Sequence, residues 1–203
     1  MLARMVDLRQ GEGPLVVRAF AALFALIAGH TILETARDAL FLERLPASRL
    51  AIVYLVLALV GVVLPLYNTR FVRAFGRRNA VVCTLMVAAL GTTLWHFQRL
   101  DGRSVYALYV WSGLIGTVLA VQFWMFAGQM FTVAQGKRLF PGIAAGGILG
   151  AVFGGAMAAA TLEIGQRWGG LTVASLLLLA AACFVIAAAI LTSVPTEDVG
   201  TPF

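Results

Sequence analysis

The sequence predicts an all-α integral membrane protein with six transmembrane helices, and three observations carry that prediction. The composition is 61% apolar and 12% charged, whereas soluble domains are about 45–50% apolar and about 25% charged. Apolar runs recur along the whole chain, each long enough for a hydrocarbon layer of roughly 30 Å at about 1.5 Å per residue. The net charge of +6 gathers in the short segments between those runs. It is therefore a topology signal, not the footprint of a nucleic-acid surface, and no nucleic-acid partner is expected.

The first span is placed at residues 15–41. Arg4 and Arg9 precede it as they would precede a signal peptide. The run is too long for one, however, and His30, Glu34, Arg37 and Asp38 follow Gly29 where a cleavage site needs small residues. The second span is placed at 50–67, the third at 80–97, the fourth at 105–130, the fifth at 141–162 and the sixth at 171–193. The tail 194–203 is short, polar and Pro-bounded, and reads as a cytoplasmic tail or linker.

Topology follows from the basic residues. Arg4, Arg9 and Arg18, the cluster Arg70, Arg73, Arg77 and Arg78, and the pair Lys137 and Arg138 fall on one side, nine of the fifteen Lys and Arg in the chain. The opposite side mixes its six with five acids. The positive-inside rule then puts both termini, and the cytoplasmic loop residues Arg77, Arg78, Lys137 and Arg138, in the cytoplasm. Cys83 and Cys183 lie inside apolar runs and read as buried, inert thiols.

Chemistry concentrates in HTILETARDALFL, His30 to Leu42. At 100° per residue, Glu34 lies about 40° from His30, Arg37 about 20° to the other side and Asp38 about 80° round, so the ionisable groups share one helix face. Two readings follow. Charges within a span are costly and mark a pathway, so this face looks into a polar cavity where Arg37 and His30 meet an anionic substrate. Alternatively the helix has already reached the interface, with Glu34 paired to Arg37 at i,i+3. Counted from Ala19, Glu34 is roughly 22 Å and Asp38 roughly 28 Å along the helix.

Span four carries no charge between Ser104 and Gly136. Within it Gln122, Phe126 and Gln129 share a face at i, i+4 and i+7, either as interhelical hydrogen-bonding groups or as cavity lining. Span five carries Gly146, Gly150 and Gly154 at four-residue intervals, a pattern that lets two helices pack backbone to backbone. Pro141 is expected in the first turn of that helix, where its missing N–H costs nothing. No nucleophile–base pair, metal-ligand spacing or phosphate loop is present in the sequence, so no enzyme activity, cofactor or metal is expected.

Three segments carry resemblances. RFVRAFGRR, Arg70 to Arg78, resembles the Gly-and-Arg loop of major facilitator transporters, with Arg73 where an acid is usual. ILETARDALFL, Ile32 to Leu42, is similar to the first-helix signature I-L-R-x-x-K-D-x-L-V-V of the bacterial and plastid ATP/ADP carrier family. QFWMFAGQMFTVAQGKRLFPGIAAGGILG, Gln122 to Gly150, is similar to that family's F-W-x-F-A-N-Q/E element and its following A-K-R segment. Residue by residue, Arg37 takes the place of the family's lysine, Asp38 that of its aspartate and Gln129 its Q/E position, while Lys137 and Arg138 match its KR. Glu34 stands where the carriers tend to have arginine, and Gly128 where they have asparagine.

The resemblance implies one six-span half of a major-facilitator-type carrier in a bacterial inner membrane. Such a half exchanges a nucleotide or other organic anion by alternating access, against a second six-span half supplied by a C-terminal half or a homodimer. Arg37 would hold phosphate. Membrane lipid is the other partner. Two further readings stay open: a non-transporting six-span module anchoring a soluble regulatory domain, and a major-facilitator carrier of another solute.

Overall fold

The computed structural model describes residues 9, 11–98 and 101–194. Arg4, Arg99 and all but Val194 of the expected tail lie outside the described residues. Among the described residues there are six α-helices, a short 3-10 turn at Ala47–Arg49 and no strand: α1 (Gly13–Arg44), α2 (Leu50–Phe75), α3 (Arg77–Phe97), α4 (Gly102–Met130), α5 (Val133–Trp168) and α6 (Ser175–Thr192). All six are long and apolar enough to cross a membrane. The protein is an all-α, multi-pass membrane protein.

The helices run up and down. One end of the bundle brings together the start of α1, the α2–α3 and α4–α5 junctions and the end of α6. There Glu12 pairs with Arg138 at 2.8 Å, Arg18 donates to the Ser193 carbonyl at 3.0 Å and Arg78 donates to the Val194 carbonyl at 3.1 Å. At the other end His96 on α3 meets the Ala174 carbonyl, just before α6, at 2.8 Å. α1 is the hub and packs on α4, α5 and α6; α3 packs on α6 and α4; α2 lies outermost against α4 and α3. Among the described side chains of α2, only Val53 and Val72 are buried.

α5 and α1 are parallel and in close register. A Cβ at Gly146 would come within 2.6 Å of the Phe20 carbonyl oxygen, and one at Gly154 within 2.6 Å of the Ala28 carbonyl oxygen. A Cβ at Gly150 would overlap the Phe24 carbonyl between them. Each of these pairs has the 126-residue separation of the Glu12–Arg138 ion pair. The glycine stripe and the ion pair therefore fix one continuous register, in which backbones approach because no side chain intervenes. α6 closes on α1 in a similar way at Gly29, where a Cβ would lie 2.8 Å from the Cys183 Cβ.

Four expectations are corrected. The Arg70–Arg78 segment is not a loop: α2 continues to Phe75 and α3 starts at Arg77, with only Gly76 (φ 77°) turning the chain between them. Lys137 and Arg138 likewise stand on helix, not loop. A capping box, with the Thr132 hydroxyl accepting from the Gln135 N–H and Gln135 reaching back to the Thr132 N–H, starts α5 at Val133. Pro141 is consequently inside α5, not in its first turn, and removes one i→i−4 hydrogen bond there. Cys83 is exposed on α3, not buried; Cys183 is half-buried, and both are free thiols.

Candidate functional site

The ionisable face of α1 opens onto a cavity of about 410 Å³ between α1, α2 and α4. Its lining includes His30, Glu34 and Arg37 from α1, Tyr54, Leu57, Gly61 and Leu64 from α2, and Gly113, Leu114, Gly116 and Thr117 from α4. α1 presents these groups together because they recur at i, i+4 and i+7. α4 can approach because Gly113 and Gly116 carry no side chain: a Cβ at Gly113 would meet the Leu57 side chain at 2.7 Å, and one at Gly116 would overlap the His30 Nε2.

Arg37 organises the cluster. Its Nη2 contacts Glu34 Oε1 at 3.1 Å and its Nε donates to Asp38 Oδ1 at 3.0 Å. Its Nη1 donates to the Ser112 hydroxyl at 3.0 Å, and Ser112 in turn donates to the Tyr109 carbonyl at 2.9 Å. The Tyr109 ring covers the guanidinium face, with Cζ 4.1 Å from the centroid. All three guanidinium nitrogens and one face are thus engaged from within the chain, and the side chain is 9% exposed. The carboxylates are more open, Glu34 41% and Asp38 50% exposed.

His30 completes the row. Its Nδ1 lies 3.4 Å from Glu34 Oε2, and its Nε2 is buried against α4 with no hydrogen-bond partner. Glu34 therefore bridges two nitrogenous bases, one oxygen to each. With His30 neutral, two carboxylates face one guanidinium, a formal charge of −1. Tyr54 and Tyr109 share a hydroxyl–hydroxyl bond of 3.1 Å, which ties α2 to α4 beside Arg37.

The span-four residues fall elsewhere. Gln122 is buried and donates from Nε2 to Asn68 Oδ1 on α2 at 2.7 Å, which makes it an interhelical contact. Phe126 is buried in the core, and Gln129 is exposed near the end of α4. None of the three lines the cavity; Gln122 stands about 15 Å along α4 from Ser112. Lys137 is exposed on α5, Arg77 donates to the Met125 carbonyl at 3.2 Å, and Arg138 is held by Glu12. At that end the Arg138 guanidinium, helped by the Arg9 N–H, holds the Glu12 carboxyl down to about 2. At the other end the Ser104 hydroxyl and N–H lower the Asp101 carboxyl as it caps α4.

Tyr54, Tyr109, Ser112 and Gly116 are site residues that sequence reasoning missed. The available signal was Tyr109, Ser112 and Gly116 at i, i+3 and i+7 on span four, a second polar and small-residue face nearer its start than Gln122. Comparison of the chain with protein-family models, with curated proteins and with solved structures finds no match.

Proposed function

We propose that the chain forms one six-helix half of a membrane carrier that moves an organic anion by alternating access, a nucleotide being the solute that its sequence resemblance suggests. The observation that carries the reading is the cavity between α1, α2 and α4. Glu34 and Arg37 line it, Glu34 half-exposed, and the half-exposed Asp38 adjoins Arg37 at 3.0 Å. Charges at that depth cannot face hydrocarbon without a large penalty, so a second polypeptide wall with water between is the arrangement they require. The wall is a second six-span half, from the same gene product or from another copy of the chain. Arg37 supplies the positive charge for the solute, which must displace a carboxylate to reach it.

The basic residues described at the first-named end, from Arg18 through Arg77 and Arg78 to Lys137 and Arg138, support placing that end in the cytoplasm, with the chain in a bacterial inner membrane. One observation favours a second reading, a membrane module that anchors another domain: Arg37 is already fully engaged by Glu34, Asp38, Ser112 and Tyr109. Uptake of labelled ADP and ATP into proteoliposomes separates the two. The carrier reading expects uptake with wild type and none with Arg37→Ala. Normal uptake by a well-inserted Arg37→Ala variant removes the phosphate role, and no uptake by wild type favours the anchor.

A further inference from the structure

The charge count at the cavity does not suit an anion as it stands. A site at −1 repels a phosphate, and the single cation in it is shared between two carboxylates. The geometry contains a means of correcting this. Glu34 offers Oε1 to Arg37 and Oε2 to His30, so one carboxylate is shared between the two side chains and a charge on either changes its hold on the other. His30 sits near the midpoint of α1 and lines the cavity, and its Nε2 is buried without a hydrogen-bond partner.

Resting on the carrier reading, we propose that anion capture at Arg37 is linked to the uptake of one proton by the His30–Glu34 pair. The proton enters on the imidazole. The resulting imidazolium takes a larger share of Glu34, the site rises from −1 to neutral, and the Arg37 Nη2 edge is released to the anion. No bond other than the N–H is made, and the proton leaves when the anion leaves. By linkage, the anion raises proton affinity by the same factor as the proton raises anion affinity. Histidine is the side chain suited to this at working pH.

Among the described residues that line the cavity with His30, the charged ones are Glu34 and Arg37 of α1. α4 presents Gly113, Gly116 and Thr117 to the cavity, with the Tyr109 phenol over Arg37; α2 presents the Tyr54 phenol among Leu57, Gly61 and Leu64. On the far side of α1, α5 meets Ala28 through Gly154, and α6 meets Gly29 through the Cys183 Cβ, the Ala180 carbonyl and the Phe184 ring.

The test is calorimetric titration of the purified full chain with ADP between pH 6 and pH 8, in two buffers of different ionisation enthalpy. Affinity is expected to fall about tenfold or more over that range, with close to one proton taken up per ADP near neutrality. His30→Gln should bind ADP weakly, with only the pH dependence and proton exchange that the terminal phosphate of ADP brings by itself, and Glu34→Gln should bind it more tightly than wild type, because one carboxylate charge is gone. A wild-type pH dependence and proton count no larger than those of His30→Gln overturn the linkage while leaving the carrier reading. Absence of ADP binding at every pH overturns the anion reading and the linkage together.

Discussion

Replacing Gly150 by alanine tests the α1–α5 register without reference to function. The added Cβ would overlap the Phe24 carbonyl, a backbone group that cannot rotate away, while the flanking glycines leave only 2.6 Å to the Phe20 and Ala28 carbonyl oxygens. Ordinary contact begins at 3.4 Å, so α1 and α5 must separate locally by roughly 0.8 Å or more. A gap of about 0.5–1 Å forfeits a quarter to a half of each atom pair's dispersion energy, and overpacking of this kind costs about 1–3 kcal/mol. Alanine also gains about 1 kcal/mol of helix propensity over glycine, which would mask part of the loss. Gly155→Ala supplies the control, since nothing lies within 4 Å of a Cβ there and the propensity gain is shared. Unfolding equilibria of the two variants in bicelles, followed by steric trapping, should therefore differ by about 1–3 kcal/mol with Gly150→Ala the weaker. Equal stabilities would refute the backbone-to-backbone packing of α1 on α5.

Two other perturbations complete the set. Glu12→Gln should lower thermal stability near neutral pH by weakening the clamp between the starts of α1 and α5. Because the folded Glu12 carboxyl is depressed from 4.5 to about 2, its contribution is present above about pH 4.5 and is lost as pH falls through 2. The melting-temperature gap between wild type and variant should therefore close across that interval, and a gap that persists below it argues against the ion pair. Gly116→Ala should drive the His30 ring from its seat on α4, read as increased modification of His30 by diethyl pyrocarbonate; unchanged protection would place His30 elsewhere.

The fold was legible because span length and composition are properties of a single helix, and a bilayer admits few other arrangements for such runs. The helix ends were not, for a physical reason. Arg70 and Arg73 continue α2 past its hydrocarbon length, and the Thr132–Gln135 capping box starts α5 ahead of Lys137 and Arg138. Charge marks where a helix leaves the membrane, not where it stops. The shared face of His30, Glu34, Arg37 and Asp38 was readable from the 100° period alone. What meets that face was not, since α4 is set against α1 by Gly116 and the Tyr109 ring and against α2 by Gly113, through contacts that no helix's own pattern contains. Gln122, Phe126 and Gln129 share a face by the same periodicity, yet they pass from interhelical contact to core to surface along α4.

The way α1 is held distinguishes the walls of the cavity. Its back is locked to α5 by the glycine stripe and to α6 at Gly29, and its start is tied to α5 through Glu12 and Arg138. Arg37 joins it to α4 through Ser112 and the Tyr109 ring. Three of the four helices that meet α1 or line the cavity with it are therefore fixed by contacts that cannot slide without loss of close packing. α2 is different: it buries only Val53 and Val72 among its described side chains, and its polar contacts to α4 include Tyr54 to Tyr109 and Asn68 to Gln122. Hydrogen bonds of this kind are worth about 0.6–2 kcal/mol each in a membrane. α2 is therefore the least buried wall of the cavity, and the Tyr54–Tyr109 bond beside Arg37 is one of the contacts that tie it to α4.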